Sequence, residues 1–147
     1  MESTEAGPRY HAAEWSIELA PGWRAEERGD HVALLSGRSH TLLRICTFRP
    51  AESGMTAEGW AQQAAGVHRP RGRLVTPITC GAFTGFRTEF EATDRWLRGW
   101  MLASGETPLD ATYTCPTSDA GLEDRDVDAM LATLAAGNAG GDNETAE

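Results

Sequence analysis

Lysine is absent from this chain, and all 13 of its basic residues are arginine. The absence excludes every mechanism that depends on a lysine amine, including Schiff-base catalysis, the phosphate-binding lysine of a P-loop and the lysine of a protein kinase. A bacterial, GC-rich coding bias explains the replacement most simply, because Arg, Ala and Gly are all plentiful.

Cysteine pairs and long apolar runs are also missing. Cys46, Cys80 and Cys115 are odd in number and widely spaced, so they form neither a disulfide framework nor a metal-type pair, and they suit a reducing compartment. No run approaches the roughly 20 apolar residues that cross a bilayer. The N-terminus lacks the basic and apolar regions of a secretory signal. These observations predict a cytoplasmic protein with no membrane partner.

No catalytic or metal-binding pattern is recognisable. Asp124, Asp126 and Asp128 begin like a calcium loop, but Ala129 and Ala135 stand where such a loop needs Gly and Glu. None of the histidines is paired at metal-ligand spacing: His11, His31, His40 and His68. We therefore expect a non-enzyme with no cofactor and no metal. The alternative is a nucleophilic Cys80 or Cys115 activated by a histidine, although cysteine within a strand is usually a small buried hydrophobe.

Negative charge is concentrated in the last third. The net charge is −9, and residues 101–147 hold ten acids and only Arg125. Nucleic-acid binding is disfavoured, because it needs a basic face. The exception is the basic segment 68–73, which we interpret as a solvated loop, or secondarily as a dock for the acidic third.

Three consecutive runs, 83–91, 95–103 and 109–115, alternate large and polar side chains and are separated by turn residues. This two-residue period predicts an antiparallel meander. Further strands are expected at Trp15–Leu19, from Trp23, at His31–Ser36, at Leu42–Phe48 and at Leu74–Cys80. Pro77 places the last of these at a sheet edge or a bulge.

Two helices are expected. The first starts at the N-cap Thr56 and runs to about Val67, with Trp60, Ala64 and Val67 as its apolar stripe. The second runs from about Leu122 to Ala136, and Gly137 ends it. The sequence therefore predicts an α+β fold, with a single antiparallel sheet of about seven or eight strands and helices on its faces. The expected organisation is a flexible segment 1–12, one domain at 13–137 and a disordered acidic tail at 138–147.

One strand carries a candidate binding face. Alternation places Trp96, Arg98, Trp100 and Leu102 on one side of the sheet, and Arg87 on the preceding strand could line the same side. An arginine between two tryptophans can stack on both rings. If this face is open, it suits a protein, an acidic group or an aromatic ligand. The alternative is that the second helix covers it and that the tryptophans belong to the core.

The order of elements resembles a known family. The opening WSIELAPGW at 15–23 and the closing strand ATYTC at 111–115, followed by VDAMLATL at 127–134, resemble PsbP-like proteins and their bacterial DcrB-like relatives. The resemblance implies an α/β/α sandwich and a role as an adaptor, chaperone or assembly factor, and it transfers no catalytic residue. We therefore expect a cytosolic, non-enzymatic module that binds a protein partner through the Trp96–Arg98–Trp100 face or through an exposed sheet edge. The alternative is an immunity or inhibitor protein whose acidic last third neutralises a basic partner.

Overall fold

The structure is a computed structural model that describes residues 8–37, 41–48 and 55–137. These ranges contain ten strands and two α-helices. In chain order they are β1 (Arg9–His11), β2 (Trp15–Glu18), β3 (Arg24–Glu27), β4 (Val32–Leu35), β5 (Leu42–Thr47), α1 (Ala57–His68), β6 (Leu74–Cys80), β7 (Phe83–Ala92), β8 (Arg95–Ser104), β9 (Thr107–Pro116), α2 (Asp124–Leu131) and β10 (Ala135–Ala136).

Seven strands form the main sheet in the order β3-β4-β5-β9-β8-β7-β6, and every pair is antiparallel. The meander predicted at its centre is confirmed as β7-β8-β9. The β7–β8 turn uses Thr93 and Asp94 at φ 45° and 64°, the twisted hairpin geometry that lets neighbouring strands pair tightly. β6 is an edge strand, which agrees with the prediction from Pro77, because proline cannot donate a ladder hydrogen bond.

The prediction of a single sheet is wrong, because β1, β2 and β10 form a second, three-stranded sheet. β1 lies inside segment 1–12, where the sequence predicted no strand, and the flexibility expected of that segment stays a prediction. The second helix is shorter than predicted. α2 ends at Leu131, and the chain then turns into β10.

The small sheet and α2 cover one face of the main sheet, called here the α2 face. Their apolar side chains form the large core cluster, to which β2 contributes Trp15 and Ile17 and α2 contributes Val127, Met130 and Leu131. α1 lies on the other face, called here the α1 face. Strand alternation assigns each sheet residue to one face, so the register fixes which side chains are neighbours.

The apolar stripe predicted for α1 is confirmed in part. Trp60 and Ala64 pack against the cluster beneath α1, but the fully buried helix residues are Ala57, Ala61 and Ala65, and Val67 is exposed. The N-cap prediction is confirmed, because the Thr56 hydroxyl accepts from the backbone N–H of Gly59 at 2.9 Å. His40 and the expected tail at 138–147 lie outside the described residues, and the domain boundary at 13–137 stays a prediction.

Candidate functional site

The Trp–Arg face proposed from the sequence is closed. Arg98 and Trp100 are each 1% exposed, because both lie on the α2 face beneath α2. The expectation of an open surface at these residues is therefore corrected, and the alternative of a helix-covered face describes them. The physical reason is that burying the apolar stripe of α2 requires this face of the sheet.

Arg98 links α2 to the sheet through three carboxylates. Its guanidinium donates to Asp128 at 2.8 Å, to Asp124 at 3.3 Å and to Glu89 at 2.9 Å. Its Cζ also lies 4.9 Å from the centroid of the Trp100 ring. Burial alone would lower the pKa of Arg98, but the nearby carboxylates, Asp128 first, raise it. The cation is thus held by a planar set of donors that only arginine provides.

Two other acids at the start of α2 also serve the fold. The Tyr113 hydroxyl donates to Glu123 at 2.7 Å, and the Trp23 indole N–H donates to Asp126 at 3.0 Å. With Asp124 and Asp128, these make four carboxylates of the acidic last third that accept hydrogen bonds from buried side chains of the same chain. This arrangement does not place them against the basic segment 68–73.

The other two residues of the predicted Trp–Arg face, Trp96 and Arg87, lie at the margin of the covered region. Trp96 is partly buried against the large cluster, and its indole N–H is buried without a hydrogen-bond partner among the described residues. Arg87 is opposite Trp100 in the β7–β8 register, as the sequence suggested, and its Nε lies 3.8 Å from Glu89. Within the described residues, the Trp96 ring therefore has no arginine stacked on it.

The α1 face is packed much more lightly. Its cluster has three buried members, Ala61, Ala65 and Met101. The contacts of α1 are mainly with β7 and β8. Alanine side chains let a helix approach a sheet closely, but they bury little apolar area. In the described part of the chain, α1 therefore reaches β9 but leaves the β4 and β5 side of this face largely uncovered.

A row of uncharged side chains crosses the uncovered part. The register sets Phe90 opposite Leu97, Leu97 opposite Thr114, and Thr114 opposite Leu42. Leu35 on β4 points to the same side, since it follows Ala33 by two residues. All five are partly exposed, and the four apolar ones belong to neither core cluster. We call these five residues the open row.

Arginines border the open row at both ends. Arg24 is opposite Leu35 in the register, and Arg73 stacks over the Phe90 ring at 3.6 Å. Arg73 also contacts His68 Nδ1 at 3.0 Å. Burial first, and then the charges of Arg73 and Arg71, lower the pKa of His68. The neutral ring accepts a hydrogen bond, which fixes the Arg73 guanidinium in place.

The two faces carry opposite charge. On the α1 face of the main sheet, together with residues 57–73, there are six arginines and three carboxylates: Arg24, Arg44, Arg69, Arg71, Arg73 and Arg95 with Glu26, Glu58 and Asp110. On the α2 face of the main sheet, together with α2, the numbers are reversed: Arg87, Arg98 and Arg125 with Glu27, Glu89, Glu91, Asp124, Asp126 and Asp128.

The sequence did not identify the open row. Its members come from β4, β5, β7, β8 and β9, and β5 and β9 are far apart in the chain, so their pairing could not be inferred from local patterns. A partial signal was present, because Leu97, Gly99, Met101 and Ala103 were assigned to the face opposite the tryptophans. Nothing in the sequence showed that α1 would leave part of that face uncovered.

Among the described residues, the surroundings of Cys80 and Cys115 do not activate either thiol. Burial raises the pKa of Cys80 to about 11 and also raises the pKa of Cys115, so both thiols are protonated at neutral pH.

A polar cleft of about 450 Å³ lies between β1 and the β3–β4 turn. In it the Tyr10 hydroxyl donates to Glu27 at 2.7 Å, and His31 Nδ1 lies 2.7 Å from Asp30.

The described ranges contain no group of three or more His, Cys, Asp or Glu side chains placed to hold a metal ion. Within the same ranges, no helix has the length and apolar character needed to cross a membrane.

Solved structures share this architecture. A solution structure of cyanobacterial PsbP (CyanoP) from Synechocystis sp. PCC 6803 matches with a TM-score of 0.56 and 10% identity, over 91% of this chain and 94% of that chain. The chain has a PsbP-like fold. A crystal structure from Bacteroides thetaiotaomicron VPI-5482 matches with a TM-score of 0.62 and 14% identity, over 89% of this chain and 48% of that one.

This chain therefore spans about half the length of the Bacteroides protein. No family model and no curated protein matches the sequence. At these identities the likeness concerns the fold alone.

Proposed function

We propose that the protein is a cytosolic, non-enzymatic module that binds a protein partner through the open row on its α1 face. The observation that carries the proposal is the set Leu35, Leu42, Leu97 and Phe90, four large apolar side chains that are partly exposed on one sheet face and packed in neither core cluster. Apolar surface left open in this way is typical of interaction sites.

The immunity or inhibitor alternative has less support from the geometry. It requires the acidic last third to face a basic partner, and four of its carboxylates, Glu123, Asp124, Asp126 and Asp128, have internal hydrogen-bond partners. A partner would have to compete with contacts that already hold α2.

Site-directed photo-crosslinking in the native cell tests the proposal. A benzoylphenylalanine in place of Leu97 should capture a specific protein, and the same side chain in place of Ala129, which is exposed on α2, should not capture it. The captured protein is then purified and titrated against this chain by calorimetry.

Matched leucine variants complete the test. Leu97→Ser should weaken binding about tenfold, because it removes roughly 1.5 kcal/mol of apolar burial at the interface. Leu122→Ser changes an exposed leucine just before α2 and should leave the affinity unchanged. Equal crosslinking at both positions, or equal loss in both serine variants, would refute the proposal.

A further inference from the structure

The charge of the α1 face is unusual for this molecule. The chain has a net charge of −9, yet this face carries twice as many arginines as carboxylates. Arg44 and Arg71 are both exposed, and neither lies within 4 Å of a carboxylate among the described residues. The charge of Arg44 acts at longer range on Asp110 and Asp30, so it is partly compensated within the chain. Both guanidinium groups are nevertheless exposed to charges from outside the chain.

The positions of the arginines define a pattern. The open row crosses from β4 to β7, with Arg24 on β3 at one end and Arg73 at the other. Five strand spacings separate β3 from β7, so the two ends are roughly 24 Å apart. Arg44 lies beside the middle of the row, where it pairs with Thr112 in the register. At the β3 end, Arg24 and Arg28 both pair with Glu26, at 3.2 Å and 2.8 Å, so these three side chains together carry one net positive charge. The surface is thus apolar in its centre and positive at its ends and along one side.

The common explanation for arginines after a helix is stabilisation of its C-terminus. It applies to Arg69 and Arg71, which follow α1 directly. It does not apply to Arg44 or Arg24, which are strand residues on the far side of the same face. Nor does it apply to Arg73, which Phe90 and His68 hold at the end of the open row.

From this pattern we infer that the α1 face binds an acidic segment of a partner protein, with an apolar middle and carboxylates at both ends. This inference rests on the proposed function and adds the chemistry of the partner. The apolar middle of the partner segment packs on Leu35, Leu42 and Leu97. Its terminal carboxylates pair with the arginines at the two ends of the open row. Complementary charge of this kind fixes the register of the segment and speeds its association.

A synthetic probe tests the inference directly. A fluorescein-labelled peptide with leucines and serines in its middle and a run of glutamates at each end is titrated with the full chain by anisotropy. The matched peptide carries glutamine in place of every glutamate. The glutamate peptide should bind more tightly, and its affinity should fall as salt is raised, because exposed charges are screened.

Arginine variants locate the contact. Arg44→Gln and Arg73→Gln should each weaken the glutamate peptide by about two- to fivefold, the range measured for ion pairs at the surface. Arg125→Gln removes an exposed arginine from α2 and should have no effect. The inference is overturned if both peptides bind equally, if neither binds, or if Arg125→Gln weakens binding as much as the other two.

The two hypotheses fail in different ways. A partner captured at position 97 whose affinity is insensitive to salt, Arg44→Gln and Arg73→Gln would leave the proposed function standing and remove the acidic partner. A failure of capture at position 97 would instead remove the proposed function.

Discussion

The two faces of the main sheet are covered by different means. The α2 face is sealed by a helix, a second sheet and a core cluster of twenty buried residues, whereas the α1 face has one helix and a cluster of three. The α2 face also buries charge, with Arg98 bound to three carboxylates. Stability is therefore concentrated on one side of the sheet, and the other side exposes apolar side chains and arginines.

The largest expected effect comes from breaking the closed face at Arg98. Arg98→Leu leaves Glu89, Asp124 and Asp128 without their shared cation, and the free energy of unfolding should fall by about 3 kcal/mol in urea titrations. Arg87→Leu is the control, because Arg87 lies on the same face but is partly exposed and makes only a 3.8 Å ion contact. A loss at Arg98 no greater than that at Arg87 would show that the cluster does not hold α2.

Two leucines on β8 compare the faces within one strand. Leu102 is fully buried on the α2 face, and Leu97 is partly exposed on the α1 face. Leu102→Ala should cost about 3 kcal/mol of unfolding free energy and Leu97→Ala less than about 1 kcal/mol, since only the first leaves a cavity. Equal losses in thermal or urea unfolding would mean that the α1 face is closed.

Two tyrosine–glutamate hydrogen bonds, one buried on the α2 face and one near the surface, allow a similar comparison. Each donates to a glutamate at 2.7 Å, Tyr113 to Glu123 in the core and Tyr10 to Glu27 near the surface. Tyr113→Phe should destabilise the protein by about 1.5 kcal/mol, because it removes a partner from a buried carboxylate. Tyr10→Phe should cost less than about 0.5 kcal/mol. The reverse order of urea midpoints would argue against a tightly sealed α2 face.

The smallest expected effect is on the pH dependence of stability, and it comes from His68 at the C-terminal end of α1. The pKa of His68 is lowered in the folded state, so the unfolded chain takes up this proton at a higher pH than the folded chain. The free energy of unfolding should therefore fall as the pH drops through about 6.5 towards the lower, folded pKa. His68→Gln should flatten this part of the stability profile. Identical profiles for the variant and the parent would show that His68 makes no contribution.

Local patterns predicted most of the strands and the fold class. The β7-β8-β9 meander, β6 at an edge and the Thr56 cap all follow from alternation, turn residues and capping chemistry over short stretches. These features depend on neighbours in the sequence, which is why they could be read directly.

The failures all involve contacts between distant segments. Ala135 and Ala136 were assigned to the second helix, but they pair with β2, and the helix ends early. The carboxylates Asp124 and Asp128, four residues apart, were considered as parts of a calcium loop that the sequence does not complete. Only the packing of α2 on β8 shows that both reach Arg98.

Methyl NMR with the captured partner tests the central claim most directly, because buried and open leucines alternate along β4 and β5. The partner should shift the methyl signals of Leu35, Leu42 and Leu97 and leave those of Leu34, Leu43 and Leu102 in place. Shifts confined to Leu34, Leu43 and Leu102, or to residues of α2, would contradict a binding surface on the α1 face.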